Sequence, residues 1–174
     1  MKQIRNNVLL IDGYNIINAW GDLVKIAGEN LEDARHKLNN RISEYADYNG
    51  IETYIVYDAY RVKGTNNRVE KIKNLTIVFT KENQTADHYI EKFIHDYKYK
   101  RHAIIRVATN DMVEQNMVLG KGAVRLTARE LLLEVNKSKE DIRHTIKENL
   151  DGRYTLGQHI DKETLEKLEK IRRS

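Results

Sequence analysis

The chain has 174 residues, with 30 basic and 26 acidic side chains and a net charge of +4. A hydrophobic fraction of 40% beside 32% charged residues fits one folded domain with a small appendage and excludes a disordered chain. The absence of cysteine excludes disulfides, thiolate metal sites and cysteine nucleophiles, and the mild basic excess permits a nucleic-acid partner without demanding one.

Met1 to Asn7 lead into a short apolar run that breaks at Asp12. The run is too short for a signal segment or a membrane span. A cytoplasmic protein with no membrane partner is therefore expected. Val8-Leu9-Leu10-Ile11 reads as a strand buried on both faces, with Asp12 at its C-terminal lip and Gly13 allowing a sharp turn. Ile16 to Trp20 reads as a helical turn or loop. Asn30 caps a helix with Leu31, Ala34, Leu38, Ile42, Tyr45 and Ala46 at helical spacing, closed by Gly50. Thr53 to Tyr57 form a second strand that also ends in an acid, Asp58.

Ala59 to Asn74 carry Arg61, Lys63, Arg68, Lys71 and Lys73 without a period, which predicts a long basic loop. Leu75 to Thr80 form a third strand. Thr85 reads as the N-cap of a helix with Ala86, Tyr89, Ile90, Phe93, Ile94 and Tyr97 on one side and Asp87 in its first turn. Ala103 to Thr109 form a fourth strand ending at Asn110-Asp111. A helix through Val113, Met117 and Val118 follows, stopped near Gly120 and Gly122. Ala123 to Leu126 make a short fifth strand. Thr127 and Glu130 form a capping box that opens a helix with Leu131, Leu132, Val135, Ile142 and Ile146. Asp151-Gly152 is expected to break that helix, and Asp161 to cap a last, charged one. Alternation of strands and helices predicts an α/β fold with a mainly parallel sheet over residues 1–150, followed by a docked tail at 151–174.

In such a sheet Asp12, Asp58, Asp87 and Asp111 converge on one rim. Packed carboxylates repel one another unless a cation joins them. Mg²⁺ or Mn²⁺ suits an all-oxygen cup that leaves room for substrate phosphates, and supports phosphodiester cleavage. Asn15 is placed to hold Asp12 or a water, and Gln115 faces the same way as Asp111 one turn on. Thr109, Asn110 and Asn15 taken singly read as turn formers.

Ile11-Asp12-Gly13-Tyr14-Asn15, Thr85-Ala86-Asp87, and Thr109-Asn110-Asp111 with Gln115 resemble the NYN branch of PIN-like metal-dependent nucleases. Tyr57-Asp58-Ala59, Val62-Lys63-Gly64, Phe79 to Asn83, Gly122 to Arg125 and Ala128 to Leu131 are similar to its YacP-like subgroup, and the likeness runs from about Val8 to Val135. The resemblance implies a three-layer fold with five strands ordered 3-2-1-4-5. It also implies a Mg²⁺- or Mn²⁺-dependent endoribonuclease, with mRNA as substrate and the ribosomal A site as its place of action. By that resemblance Asp12, Asp87 and Asp111 are the metal-binding acids, with Asp58 a strand-end acid and Asn15 beside them. Many PIN-like enzymes carry a further acid one turn beyond the position of Asp111; Gln115 stands there, a neutral ligand at best.

Arg61, Lys63, Arg68 and Lys71 read as RNA or ribosome contacts, or as a solvated loop. Tyr14 and Tyr60 are candidates for base stacking. Arg125 and Arg129 suit a structural tie and an RNA contact equally. Two further functions compete: an RNA- or ribosome-binding module without catalysis, for which Gln115 gives room, and a phosphatase or nucleotide-binding domain. No P-loop, Gly-x-Gly-x-x-Gly or Asp-x-Asp pattern favours the latter.

Overall fold

A computed structural model describes residues 7–59, 68–98 and 103–158, the last eight of these by backbone only. Its elements are β1 (Asn7–Asp12), α1 (Gly13–Ala19), α2 (Gly21–Glu29), α3 (Leu31–Asn49), β2 (Glu52–Tyr57), β3 (Val69–Ile72), β4 (Leu75–Phe79), α4 (Ala86–Lys98), β5 (Ile104–Ala108), α5 (Met112–Gly120), β6 (Val124–Leu126) and α6 (Ala128–Gln158). The described strands form one sheet in the order β3-β4-β2-β1-β5-β6. All its pairings are parallel except β3 with β4. The five parallel strands keep the expected order, and a sixth, antiparallel strand is added at one edge.

Val8 to Ile11 are fully buried, as a central strand covered on both faces requires. Leu9 and Ile11 pack with α1, α2, α3 and the start of α6, while Leu10, Val56, Val78 and Val107 pack with α4 and α5. Asn30 caps α3 by accepting from Glu32 N at 2.9 Å, and Gly50 ends it in the left-handed region at φ 62°. Trp20, 1% exposed, fills the junction of α1 and α2. Its indole Nε1 donates to the Ala128 carbonyl at 2.9 Å, fixing where α6 begins. Arg106, on the same face, pairs with Glu134 of α6, which also accepts from the Tyr45 hydroxyl of α3.

Three expectations need correction. The long loop Ala59–Asn74 contains β3, paired with β4 through a turn that holds Lys73 at φ 51°. Residues 21–29, which suggested no element, form α2. The helix opened at Ala128 passes through Asp151-Gly152 to Gln158. One interior glycine costs about 1 kcal/mol, too little to stop a helix with no proline behind it. The predicted helix cap at Asp161 lies outside the described residues. The chain divides into two compact units, Met1–Ser138, which holds the sheet, and Lys139–Ser174.

Candidate metal centre

The rim is assembled by short polar ties, each joining the end of one strand to the next element. Asp12 ends β1 in an extended conformation and its Oδ1 accepts from Asn15 N at 3.2 Å, capping α1. Gly13 follows because nothing larger fits: a Cβ there would lie 2.2 Å from the Tyr57 ring. Gly13→Ala is therefore expected to cost about 1–3 kcal/mol through overpacking. Urea unfolding checks this, the midpoint falling with an unchanged slope.

Asp58 follows β2, and its Oδ1 accepts from Ala86 N at 2.6 Å. That bond ties the start of α4 to the end of β2 and so sets Asp87 at the rim. Thr80 accepts from Ala59 N at 3.1 Å and braces the same corner. On the other side of β1, Asn15 Oδ1 accepts from Asn110 N at 2.6 Å, and Asn110 Oδ1 from Ala128 N at 3.4 Å. Thr109 Oγ1 accepts from Asp111 N at 3.1 Å. Asp111 then caps α5, its Oδ1 accepting from Val113 N at 2.7 Å and Glu114 N at 3.3 Å.

Three acids meet at this rim. One carboxylate oxygen each from Asp12, Asp87 and Glu114 lies within 4.8 Å of the others. Asp12 and Glu114 are buried, whereas Asp87 is exposed. Both carboxylate oxygens of Glu114 are buried without a hydrogen-bond partner. Burial is the main force pushing its carboxyl up to about 8; the nearby Thr109 hydroxyl opposes this in part, and the charges of Asp12, Asp87 and Asp111 add to it. Asp87 is also held above the usual carboxylate range, first by desolvation and then by Asp111 and Asp58. A buried acid with two unmet acceptors beside two more carboxylates is costly in the absence of a cation. The donors are all carboxylate oxygens, which is the chemistry a hard divalent cation prefers. The residues fit such an ion.

The structure thus gathers Asp12, Asp58, Asp87 and Asp111 at one rim. Asp12 and Asp87 belong to the converging trio. Asp111 caps α5 as Asp12 caps α1, Asp58 accepts from the first N–H of α4 beside its cap Thr85, and the charges of Asp111 and Asp58 reach Asp87. Asn15, Thr109 and Asn110 hold the connecting segments together. The neutral-ligand reading of Gln115 is corrected. Its Nε2 donates to the Thr109 carbonyl at 2.9 Å and its Oε1 accepts from Arg125 at 2.9 Å, so both amide ends are engaged. The acid one turn into α5 is Glu114, which the sequence reading missed.

Tyr14 is corrected as well. It is 3% exposed, packs edge-on against Tyr57 at 5.1 Å and accepts from Arg35 at 3.2 Å, so its ring offers no face to a base. Arg68 pairs with Glu70 at 2.6 Å, and Lys71 is exposed on β3. Tyr60, Arg61 and Lys63 lie outside the described residues.

The fold and rim define a class: an open α/β domain whose parallel strands present clustered carboxylates at their C-terminal edge. The chain matches the family model of the YacP-like NYN domain over residues 9–173. It belongs to the YacP-like NYN domain family. It is 38% identical over 172 residues to the uncharacterized protein YacP of Bacillus subtilis (strain 168), covering 96% of this chain and 97% of that one. It is similar to the crystal structure of Rae1 (YacP) from Bacillus subtilis, with a TM-score of 0.72 and 36% identity over 96% of this chain and 95% of that one. A tryptophan-to-leucine mutant of the same protein gives a TM-score of 0.69 and 38% identity over 82% of each chain.

Proposed function

We propose that this protein is a Mg²⁺- or Mn²⁺-dependent endoribonuclease that cleaves single-stranded mRNA on the ribosome, in the A site. The observation that carries the metal-dependent chemistry is the trio Asp12, Asp87 and Glu114 at the sheet rim, with two unmet buried oxygens on Glu114. Membership of the NYN family supports the nuclease class. The ribosomal setting rests on the YacP-like motifs. A cytoplasmic location is part of the same proposal; among the described residues no helix is long and apolar enough to cross a membrane.

Asp12 and Glu114, buried and fixed by their elements, would hold the ion from below, and exposed Asp87 from the solvent side. A bound divalent ion supplies Lewis acidity and offsets charge on the phosphate in the transition state. Glu114 would hold the ion as the carboxylate, its proton lost on binding. Without the ion, the charges of Asp12 and Asp87 disfavour a phosphodiester at the rim itself. Asp58 and Asp111 act by placing Asp87 and α5. Arg68 and Lys71, with Tyr60, Arg61 and Lys63, are the proposed contacts to RNA or ribosome on the far side of Asp58.

The inactive binding module rested on Gln115 standing where an acid was wanted. Glu114 supplies that acid, and no observation now favours the module. Incubating an RNA with Mg²⁺ or Mn²⁺, and in parallel with EDTA, tests the proposal. Internal cleavage with the metal and none in EDTA is expected. RNA binding without divalent-dependent cleavage, on free RNA and on programmed ribosomes alike, contradicts it.

A further inference from the structure

The helix that carries Asp87 also borders a groove for which the acid trio has no use. α4 buries Ala86, Ile90 and Ile94 against the sheet. One step round the helix, Tyr89, Phe93 and Tyr97 recur at a spacing of four and form a second row, half-buried rather than buried. Phe93 and Tyr97 stack at 5.2 Å with their planes 11° apart, and Tyr89 lies 6.5 Å from Phe93. This row and the segment Lys81–Gln84 line a groove of about 730 Å³, with Lys92 also on its surface. That volume falls in the range of small-molecule and cofactor sites.

The groove is rich in rings but close to neutral. Lys81 and Lys92 are offset formally by Glu82 and Asp96, and Asp96 lies 3.3 Å from His95. Among the described residues the lysines in ion pairs are Lys37, Lys73 and Lys121. Lys81 and Lys92 therefore keep their ammonium groups for a ligand. A row of aromatic rings with two available cations suits flat bases joined by a phosphate backbone. A duplex cannot use it, because its bases already stack on one another. The groove shares α4 with the rim but lies on another side of that helix, Tyr89 following Asp87 by about 200° of helical turn. Asp87 is in the first turn of α4, and Tyr97 lies ten residues on, about 15 Å at the helical rise.

We propose that this groove holds unpaired nucleotides of the RNA strand away from the scissile phosphate, stacked on Tyr89 and on the outer face of Tyr97, with Phe93 packed between Tyr54 and Tyr97 as their support and Lys81 and Lys92 on phosphates. The proposal rests on reading the acid trio as an RNA-cleaving site. It makes the protein select single strands through stacking, with charge in a minor role.

The test is binding of a fluorescent single-stranded RNA, and of the same RNA as a duplex, in EDTA, so that cleavage is not read. Tyr89→Leu should weaken single-strand binding about tenfold, the loss of one stacked base. Tyr89→Phe should restore it, and duplex binding should not change. Lys81→Ala with Lys92→Ala, both at exposed positions, should lower the slope of log affinity against log salt by roughly 1.4, at about 0.7 per phosphate. That pair carries the test if Tyr89→Leu fails to fold. Wild-type affinity in both variants overturns the proposal, as does equal weakening for single strand and duplex. Metal-dependent cleavage together with binding indifferent to these residues removes the groove and leaves the nuclease. Binding that falls as expected, in a protein that never cleaves, keeps the groove and removes the nuclease.

Discussion

Asp12→Asn is expected to lower Mg²⁺- or Mn²⁺-dependent RNA cleavage by two to three orders of magnitude, on the order of the several kcal/mol a Lewis-acid ion contributes. The fold should survive. Asparagine keeps an oxygen for Asn15 N, now bonded at 3.2 Å, and is as good a helix cap as aspartate. In EDTA the variant should melt no lower than wild type, because a charge crowded by Asp87 and the buried Glu114 has been removed. Initial cleavage rates and melting curves in EDTA check both parts. Full activity with an intact fold contradicts the assignment of Asp12.

The second large effect belongs to Glu114. Its carboxyl titrates at about 8 in the folded protein against an ordinary value of 4.5. Below about pH 4.5 the group is protonated in both states and costs nothing. As pH rises towards 8 the unfolded chain ionises it while the fold keeps its proton, so stability falls; above 8 the loss is complete. At about 1.4 kcal/mol per pH unit the loss comes to a few kcal/mol. Metal-free wild type should therefore melt at a lower temperature at pH 8.5 than at pH 5, and Glu114→Gln should flatten that dependence. Added Mn²⁺ at pH 8 should restore wild type but not the variant. Glu114→Gln should also lose cleavage on the scale of Asp12→Asn. Parallel pH profiles for the two proteins contradict this account of Glu114.

Glu114 also shows where reading the sequence stops. β1 was legible because four aliphatic residues in a row can only be buried, and they are. α3 was legible from its spacing and its two caps. α5 inverts the usual rule. Val113 and Met112 are 79% and 66% exposed, while Glu114 and Gln115 are 2% and 3% exposed. A pattern that places apolar residues inward therefore assigned Val113 to the core and passed over the acid beside Gln115. Two polar residues together in so short a helix, next to a strand-end aspartate, were the signal available.

β3 was hidden for a different reason. Val69 and Ile72 are 61% and 45% exposed, so this edge strand owes its place to backbone pairing with β4 and shows no apolar face. α2 turns Leu23, Ile26 and Ala27 to the core at helical spacing, a period within nine residues that was passed over. Asp58, Asp111, Asn15 and Asn110 follow strand ends in the sequence, but a sequence does not say which acid caps a helix and which points at its neighbours. Asp12 does both, accepting from Asn15 N while it faces Asp87 and Glu114.

The central claim is that Asp12, Asp87 and Glu114 share one divalent ion. Anomalous scattering from a Mn²⁺-soaked crystal tests it most directly. A single strong peak about 2.0–2.2 Å from an oxygen of each of the three is predicted. A peak held by Asp58 or Asp111 without Glu114, or no peak at the rim at saturating Mn²⁺, contradicts it.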